Sequence, residues 1–246
     1  MFLPIKDLNP TRTFPFVNYA LIAANILGYM IELSLVRQYG EGAIVGGFGL
    51  VPSRLFADPS GEAFTVLTSM FMHGSLAHLA GNMLFLHIFG DNVEDSLGHF
   101  RYLGFYLMSG LAAAAAQTLI NLSSPGAMLG ASGAIAGVLG AYIVLFPRAP
   151  ILCLFFVFVI SVPAWLEIGM WFGLNLLSGL SSLGARELGG VAFFAHIGGF
   201  LAGLLLVRPL LGGRGRRDEF QWSGWRPPSR SPGSTSRSRY DAWRDR

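Results

Sequence analysis

Three short stretches of this chain carry side chains with acid–base and nucleophilic chemistry at helix-compatible spacing. The first is His73-Gly-Ser-Leu-Ala-His78-Leu-Ala-Gly-Asn82. On a helix, His78 and Asn82 lie one turn apart on a common face and aim hydrogen-bond donors at one point, which suits an anion. The second is Gly130-Ala-Ser132-Gly133-Ala-Ile-Ala-Gly137. Here Ser132 stands where a helix opens, and unpaired N–H groups with the positive end of the helix dipole favour negative charge at that place. Its small neighbours leave the hydroxyl accessible. The third is Ala195-His196-Ile-Gly-Gly199-Phe-Leu-Ala-Gly203. Gly133 with Gly137, and Gly199 with Gly203, form small-residue faces that let helices approach closely.

Together these residues predict covalent attack on a carbonyl. His196, neutral with one ring nitrogen free, would take the Ser132 proton as its oxygen attacks and return it to the leaving amine. The tetrahedral oxyanion would be held by the Ser132 N–H and Asn82, with His78 as a further donor. Among the acids only Glu167 falls well inside a predicted outer-half span, so the expected machinery is a Ser132/His196 dyad with no acidic third member.

These side chains need a scaffold, and the hydropathy pattern predicts one of six membrane-spanning helices. Apolar runs place them at about 16–36, 76–90, 100–122, 131–146, 151–170 and 188–211, with Pro147 ending the fourth and Pro163 inside the fifth. Residues 37–74 form a long first loop with short interfacial segments around 50–56 and 64–71. The second, fourth and sixth spans run in one direction. Ser132 lies fourteen residues from Phe146, about 21 Å, and His196 fifteen from Leu211, about 22 Å, so the two reach one level.

Composition agrees: 246 residues are 52% hydrophobic and only 13% charged, which points to lipid contact rather than one oversized soluble core. The single Cys153 forms no intrachain disulfide. Residues 1–211 carry eight basic and ten acidic side chains, whereas 212–246 carry nine arginines against four acids. Six spans put both ends on one side, and the basic residues divide fourteen to three in favour of that side being cytoplasmic. The expected organisation is a cytoplasmic segment 1–13, a membrane domain 14–211 and a basic, Ser/Pro/Gly-rich disordered tail 212–246 that contacts anionic lipid rather than nucleic acid.

The three stretches, in this order and separated by these spans, resemble the rhomboid family of intramembrane serine proteases over residues 14–211. The resemblance implies an all-α, six-helix bundle around a short central fourth helix, a cavity opening to the outside, and a first loop lying partly in the outer leaflet. It implies hydrolysis of peptide bonds in or near transmembrane segments of other proteins, in a bacterial inner membrane, with no metal, nucleotide or other cofactor. Carried over by motif, Ser132 is the nucleophile, His196 the base, His78 and Asn82 build the oxyanion hole, and His73 supports the first loop. Two positions depart from the family pattern. A Trp-Arg pair common in the first loop is Phe64-Thr65 here, which questions its salt-bridged arrangement. An aromatic ring that packs on the catalytic histidine in some members is replaced by Ala136, so His196 must be oriented by other means.

Of the remaining histidines, His87 is expected in a core or interhelical hydrogen bond and His99 on a solvated cytoplasmic surface. Three rival readings use the same buried polar residues. A small transporter would show inverted repeats or repeated broken helices, and none is evident. A catalytically silent relative that binds membrane clients would lack Ser132 or His196. A haem protein would ligate iron through His78 and His196.

Overall fold

The computed structural model describes residues 3–182 and 192–211. Strand β1 (Leu3–Asp7) leads to α1 (Phe16–Tyr39), which stops at Gly40 with φ 85°. The first loop then folds into three short helices, α2 (Glu41–Phe48), α3 (Pro52–Ala57) and α4 (Pro59–Thr68), followed by a 3-10 turn (Ser69–Phe71). Pro52 and Pro59 sit at the first positions of α3 and α4, where a missing N–H costs nothing, and Asp58 caps α4 by accepting from Gly61 N at 2.9 Å. Helix α5 (Leu76–Leu97) is capped by Ser75, whose Oγ accepts from His78 N at 3.1 Å. Gly98, at φ 80°, makes the turn into α6 (His99–Ile120).

Helix α7 (Ser132–Leu145) is buried without interruption from Gly133 to Tyr142, so it forms the axis of the bundle. Strands β2 (Pro150–Phe155) and β3 (Phe158–Pro163) follow, then α8 (Ala164–Ser182) and α9 (Phe193–Leu211). Helices α5, α6, α8 and α9 all pack on α7. A side chain at Gly199 would run into the Gly133 carbonyl, and one at Gly203 into that of Gly137. The four glycines therefore set how closely α7 and α9 approach, as their spacing predicts.

Among the described residues, α1, α6 and α9 are long and apolar enough to cross a membrane, and α7 is a shorter apolar helix. The first, third and fourth expected helices fall within a few residues of α1, α6 and α7. The second continues past Gly90 to Leu97 as α5, because its last turns carry Asp91, Asn92, Glu94 and Asp95, which end the apolar run but not the helix. Glu94 is fully buried and accepts from Val17 N at 3.1 Å and Asn18 N at 2.7 Å, satisfying two orphan donors at the start of α1.

The expected fifth helix is overturned in its first half. Residues 150–163 form an antiparallel hairpin, and β1 adds to its free edge to give the sheet order β1-β2-β3. The helix begins only after Pro163 and runs to Ser182. A run such as Ile151-Leu-Cys-Leu-Phe-Phe-Val-Phe-Val-Ile160 is apolar on both faces, so periodicity does not separate strand from helix, and its β-branched and aromatic content favours the strand. The molecule is thus a largely helical bundle with a small sheet rather than purely α. The expected tail, 212–246, the start of the sixth helix before Ala192, and Arg186 lie outside the described residues.

Candidate active site

Ser132 is the first residue of α7 and His196 lies one turn into α9. The Ser132 Oγ–H stands 2.8 Å from His196 Nε2. On the opposite side of the ring, His196 Nδ1 lies 2.6 Å from Asn175 Oδ1 on α8, and the Trp171 ring lies 5.6 Å from the imidazole at 40°. Asn175 Nδ2 donates to the Trp171 carbonyl at 2.8 Å, one turn back along the helix. Both ring nitrogens of His196 are engaged, which leaves neither for an axial bond to a haem iron.

The α5 residues meet the site through Gly130. This glycine has φ 122°, and a Cβ there would lie 2.7 Å from His78 Cε1 and 3.6 Å from Asn82 Nδ2. His78 and Asn82 therefore flank the turn that leads into Ser132. Asn82 Nδ2 is 3.0 Å from His73 Nε2 and must be the donor, since an amide nitrogen does not accept. Its second hydrogen remains for another acceptor. The His73 ring packs edge-on to His78 at 5.2 Å, and its backbone N donates to Glu32 Oε2 at 2.8 Å. His73 thus ties the end of the first loop to α1 and to Asn82.

The first loop holds the approach to α7. Leu50 and Met128 exchange backbone hydrogen bonds of 3.1 and 2.7 Å, and Gly130 N donates to Ser69 O at 2.9 Å. A small cleft with room for a water-sized group opens beside Ser132 and is lined by Ser69, Met70, Met128, Gly130 and Ala195. The ionic contact questioned by Phe64-Thr65 comes from elsewhere in the loop. Arg54 Nε donates to Glu62 Oε1 at 2.9 Å, and its guanidinium also meets the Gly46 carbonyl. Thr65 is buried and donates to Glu62 O, while Phe64 is half exposed.

Two expectations are corrected. His87 is exposed, with its ring 6.1 Å from Tyr19. His99 is not a purely solvated residue, since its Nδ1 meets the buried Glu94 at 2.5 Å. Glu167 is buried at the first turn of α8 beside Cys153, with Sγ to Oε2 3.7 Å, and His196 takes Asn175 as its partner. Asn175 was missed because the predicted helix ended at Met170. Trp171 and Asn175, one turn apart beyond that end, were the available signal. Ala136 is fully buried in α7, and Trp171 from α8 supplies an aromatic neighbour for His196.

A helical bundle with membrane-length apolar helices, enclosing a serine at a central helix N-terminus against a histidine, defines a membrane protein of a narrow class. The Rhomboid domain matches residues 60–212, and the chain belongs to the rhomboid family. It is 34% identical over 146 residues to Rhomboid protein 1, mitochondrial, of Saccharomyces cerevisiae, covering 57% of this chain and 40% of that protein. It is 33% identical over 206 residues to Rhomboid protease GluP of Bacillus subtilis, covering 82% and 37%. To RHOMBOID-like protein 1 of Arabidopsis thaliana it is 27% identical over 229 residues, covering 81% and 55%. The chain thus spans roughly half or less of these relatives' lengths.

Proposed function

We propose that this protein is a serine endopeptidase that hydrolyses peptide bonds in or near the transmembrane segments of other membrane proteins. In this reading α1, α5, α6, α7, α8 and α9 are the six spans, both termini are cytoplasmic, and the site opens to the outer side of a bacterial inner membrane. The basic residues gathered at the inner helix ends support that orientation. The observation that carries the activity is the 2.8 Å contact between Ser132 Oγ and His196 Nε2.

His196 accepts the Ser132 proton as Oγ bonds to the scissile carbonyl carbon. The carbonyl oxygen becomes an oxyanion that the N–H groups opening α7 and the free hydrogen of Asn82 receive, with His78 alongside. His196 then gives its proton to the departing amine, leaving an acyl-serine. Water, deprotonated by His196, attacks the ester and releases the acid. A helical peptide bond is shielded by its own hydrogen bonds, so substrates whose helices are weakened by Gly, Ala or Pro are favoured.

The test is reconstitution of the full chain in lipid with labelled single-pass substrates. The parent should cleave, and Ser132→Ala and His196→Ala should each abolish cleavage. A fluorophosphonate should label the parent and not Ser132→Ala. Cleavage by Ser132→Ala equal to the parent would refute the assignment, and a parent that binds such substrates without cleaving them would favour a client-binding protein.

A further inference from the structure

The geometry points to Asn175 as the positioning residue that fixes the tautomer and orientation of His196, an inference that rests on the serine endopeptidase reading. For Nε2 to accept from Ser132, the ring proton must sit on Nδ1, and a neutral imidazole has no strong intrinsic preference between the two nitrogens. Asn175 Oδ1, 2.6 Å from Nδ1, can only accept. The amide is itself held from flipping, because Nδ2 donates to Trp171 O at 2.8 Å, and a flip would lose that bond and set NH2 against the ring N–H. The result is one directed chain, in which Ser132 Oγ–H donates to His196 Nε2 and His196 Nδ1–H donates to Asn175. Asn175 closes it by donating to the Trp171 carbonyl. This replaces the orienting group that Ala136 does not provide, and uses an amide where many serine enzymes use a carboxylate.

Asn175→Ala should lower kcat about tenfold, the rate equivalent of one neutral hydrogen bond, with KM little changed. Ring 15N shifts of His196, read in the inactive Ser132→Ala background, should report Nδ1–H with Asn175 present and a mixture of tautomers with Asn175→Ala. Asn175→Asp, which keeps the acceptor, should restore the single tautomer. Unchanged kcat, or one tautomer in both cases, overturns the proposal. If instead Ser132→Ala cleaves as the parent does, the endopeptidase reading fails, whereas the ring spectra still judge Asn175.

A separate observation concerns the hairpin. We infer that its tip, Phe155 to Val159, inserts into the acyl-chain boundary of the bilayer that the helices span. Phe156, Val157 and Phe158 are 83, 82 and 67% exposed, a density of uncovered aromatic and branched side chains that water disfavours. Phe156 also holds φ 53° in a two-residue turn where Gly or Asn is the unstrained choice, so a bulky apolar ring is kept there at conformational cost. The hairpin does not project straight away from α8. Collinear, Ile160 would stand about 10 Å before Pro163 and Glu167 about 4.5 Å beyond Ala164, out of reach of the Cys153–Glu167 contact. It therefore bends across the foot of α8, where Trp165 is also exposed. Lys6 and Arg148, both exposed near its base, suit anionic headgroups.

In a Cys153→Ala background, an environment-sensitive fluorophore at Val157→Cys in phosphatidylcholine/phosphatidylglycerol vesicles should be quenched by bromine-tagged acyl chains. Iodide, equilibrated on both sides of the membrane because the two positions lie on opposite sides of it, should quench it several-fold less than the same probe at Ser123→Cys, in the exposed turn after α6. Equal iodide access at the two sites overturns the inference. Protection from iodide without bromolipid quenching also overturns it and assigns the tip to a second copy or another protein. Phe156→Gly, which relieves the turn, should keep or raise thermal stability in detergent while lowering bromolipid quenching at Val157→Cys. A Phe156→Gly chain that is less stable with quenching unchanged would make the ring a packing residue and overturn the inference.

Discussion

Gly130 shows how one residue can be demanded twice. Its φ of 122° disfavours any L side chain, and the space a Cβ would take belongs to the His78 ring. Gly130→Ala should therefore cost about tenfold in cleavage from conformation alone, and more if His78 is displaced, which a rate comparison in lipid would measure. In the proposed mechanism, Asn82→Ala leaves Ser132 and His196 intact and removes an oxyanion donor. It should reduce kcat about a hundredfold without abolishing it. His78 with Asn82, and Ser132 with His196, stood out in the sequence because helical spacing converts directly into a shared face or a shared depth, whereas His73 entered only through the family resemblance. Asn175 was not, because its role depends on where α8 lies, and the predicted boundary stopped short of it.

Elements in this protein are joined by polar groups at their ends and by glycines along their flanks. Glu94 binds α5 to the first turn of α1 through two backbone donors, and also meets His99. Glu94→Ala would strand the buried N–H groups of Val17 and Asn18. It should lower stability by about 3 kcal/mol, seen as a fall in the unfolding midpoint in detergent. At the α7/α9 contact, Gly199→Val would force its side chain into the Gly133 carbonyl and part the helices that carry Ser132 and His196. Activity and thermal stability should fall together. The glycine spacing announced that contact, but the end of α5 was misjudged, since a hydropathy pattern does not register a buried carboxylate whose partners come from another helix.

Across the whole molecule, β1 fastens the chain's start to the hairpin between α7 and α8. Asp7, at the end of β1, accepts from Tyr142 Oη at 2.8 Å, and burial pushes its carboxyl up to about 6, against the lowering effect of that hydrogen bond. A raised acid pKa in the fold means the folded state holds its proton longer than the unfolded chain. Its contribution is full below about pH 4 and is lost as pH rises through about 6. Asp7→Asn should accordingly raise the unfolding midpoint by a few degrees at pH 7.5, with the gain vanishing near pH 4, as thermal scans across pH would record. The hairpin that receives β1 is the clearest departure from the expected all-helical bundle.

The sequence by itself determined the apolar, helical character of most of the chain, the three polar stretches and the depth along their helices at which Ser132 and His196 meet. Those properties depend on local periodicity, length and hydropathy, which the order of residues carries directly. Tertiary structure alone decided that residues 150–163 pair as strands with the N-terminal segment, that Glu94 serves α1, and that Asn175 holds His196. Each of these joins groups distant in the chain, and whether such a group finds its partner is fixed by how the helices pack, not by the residues on either side of it.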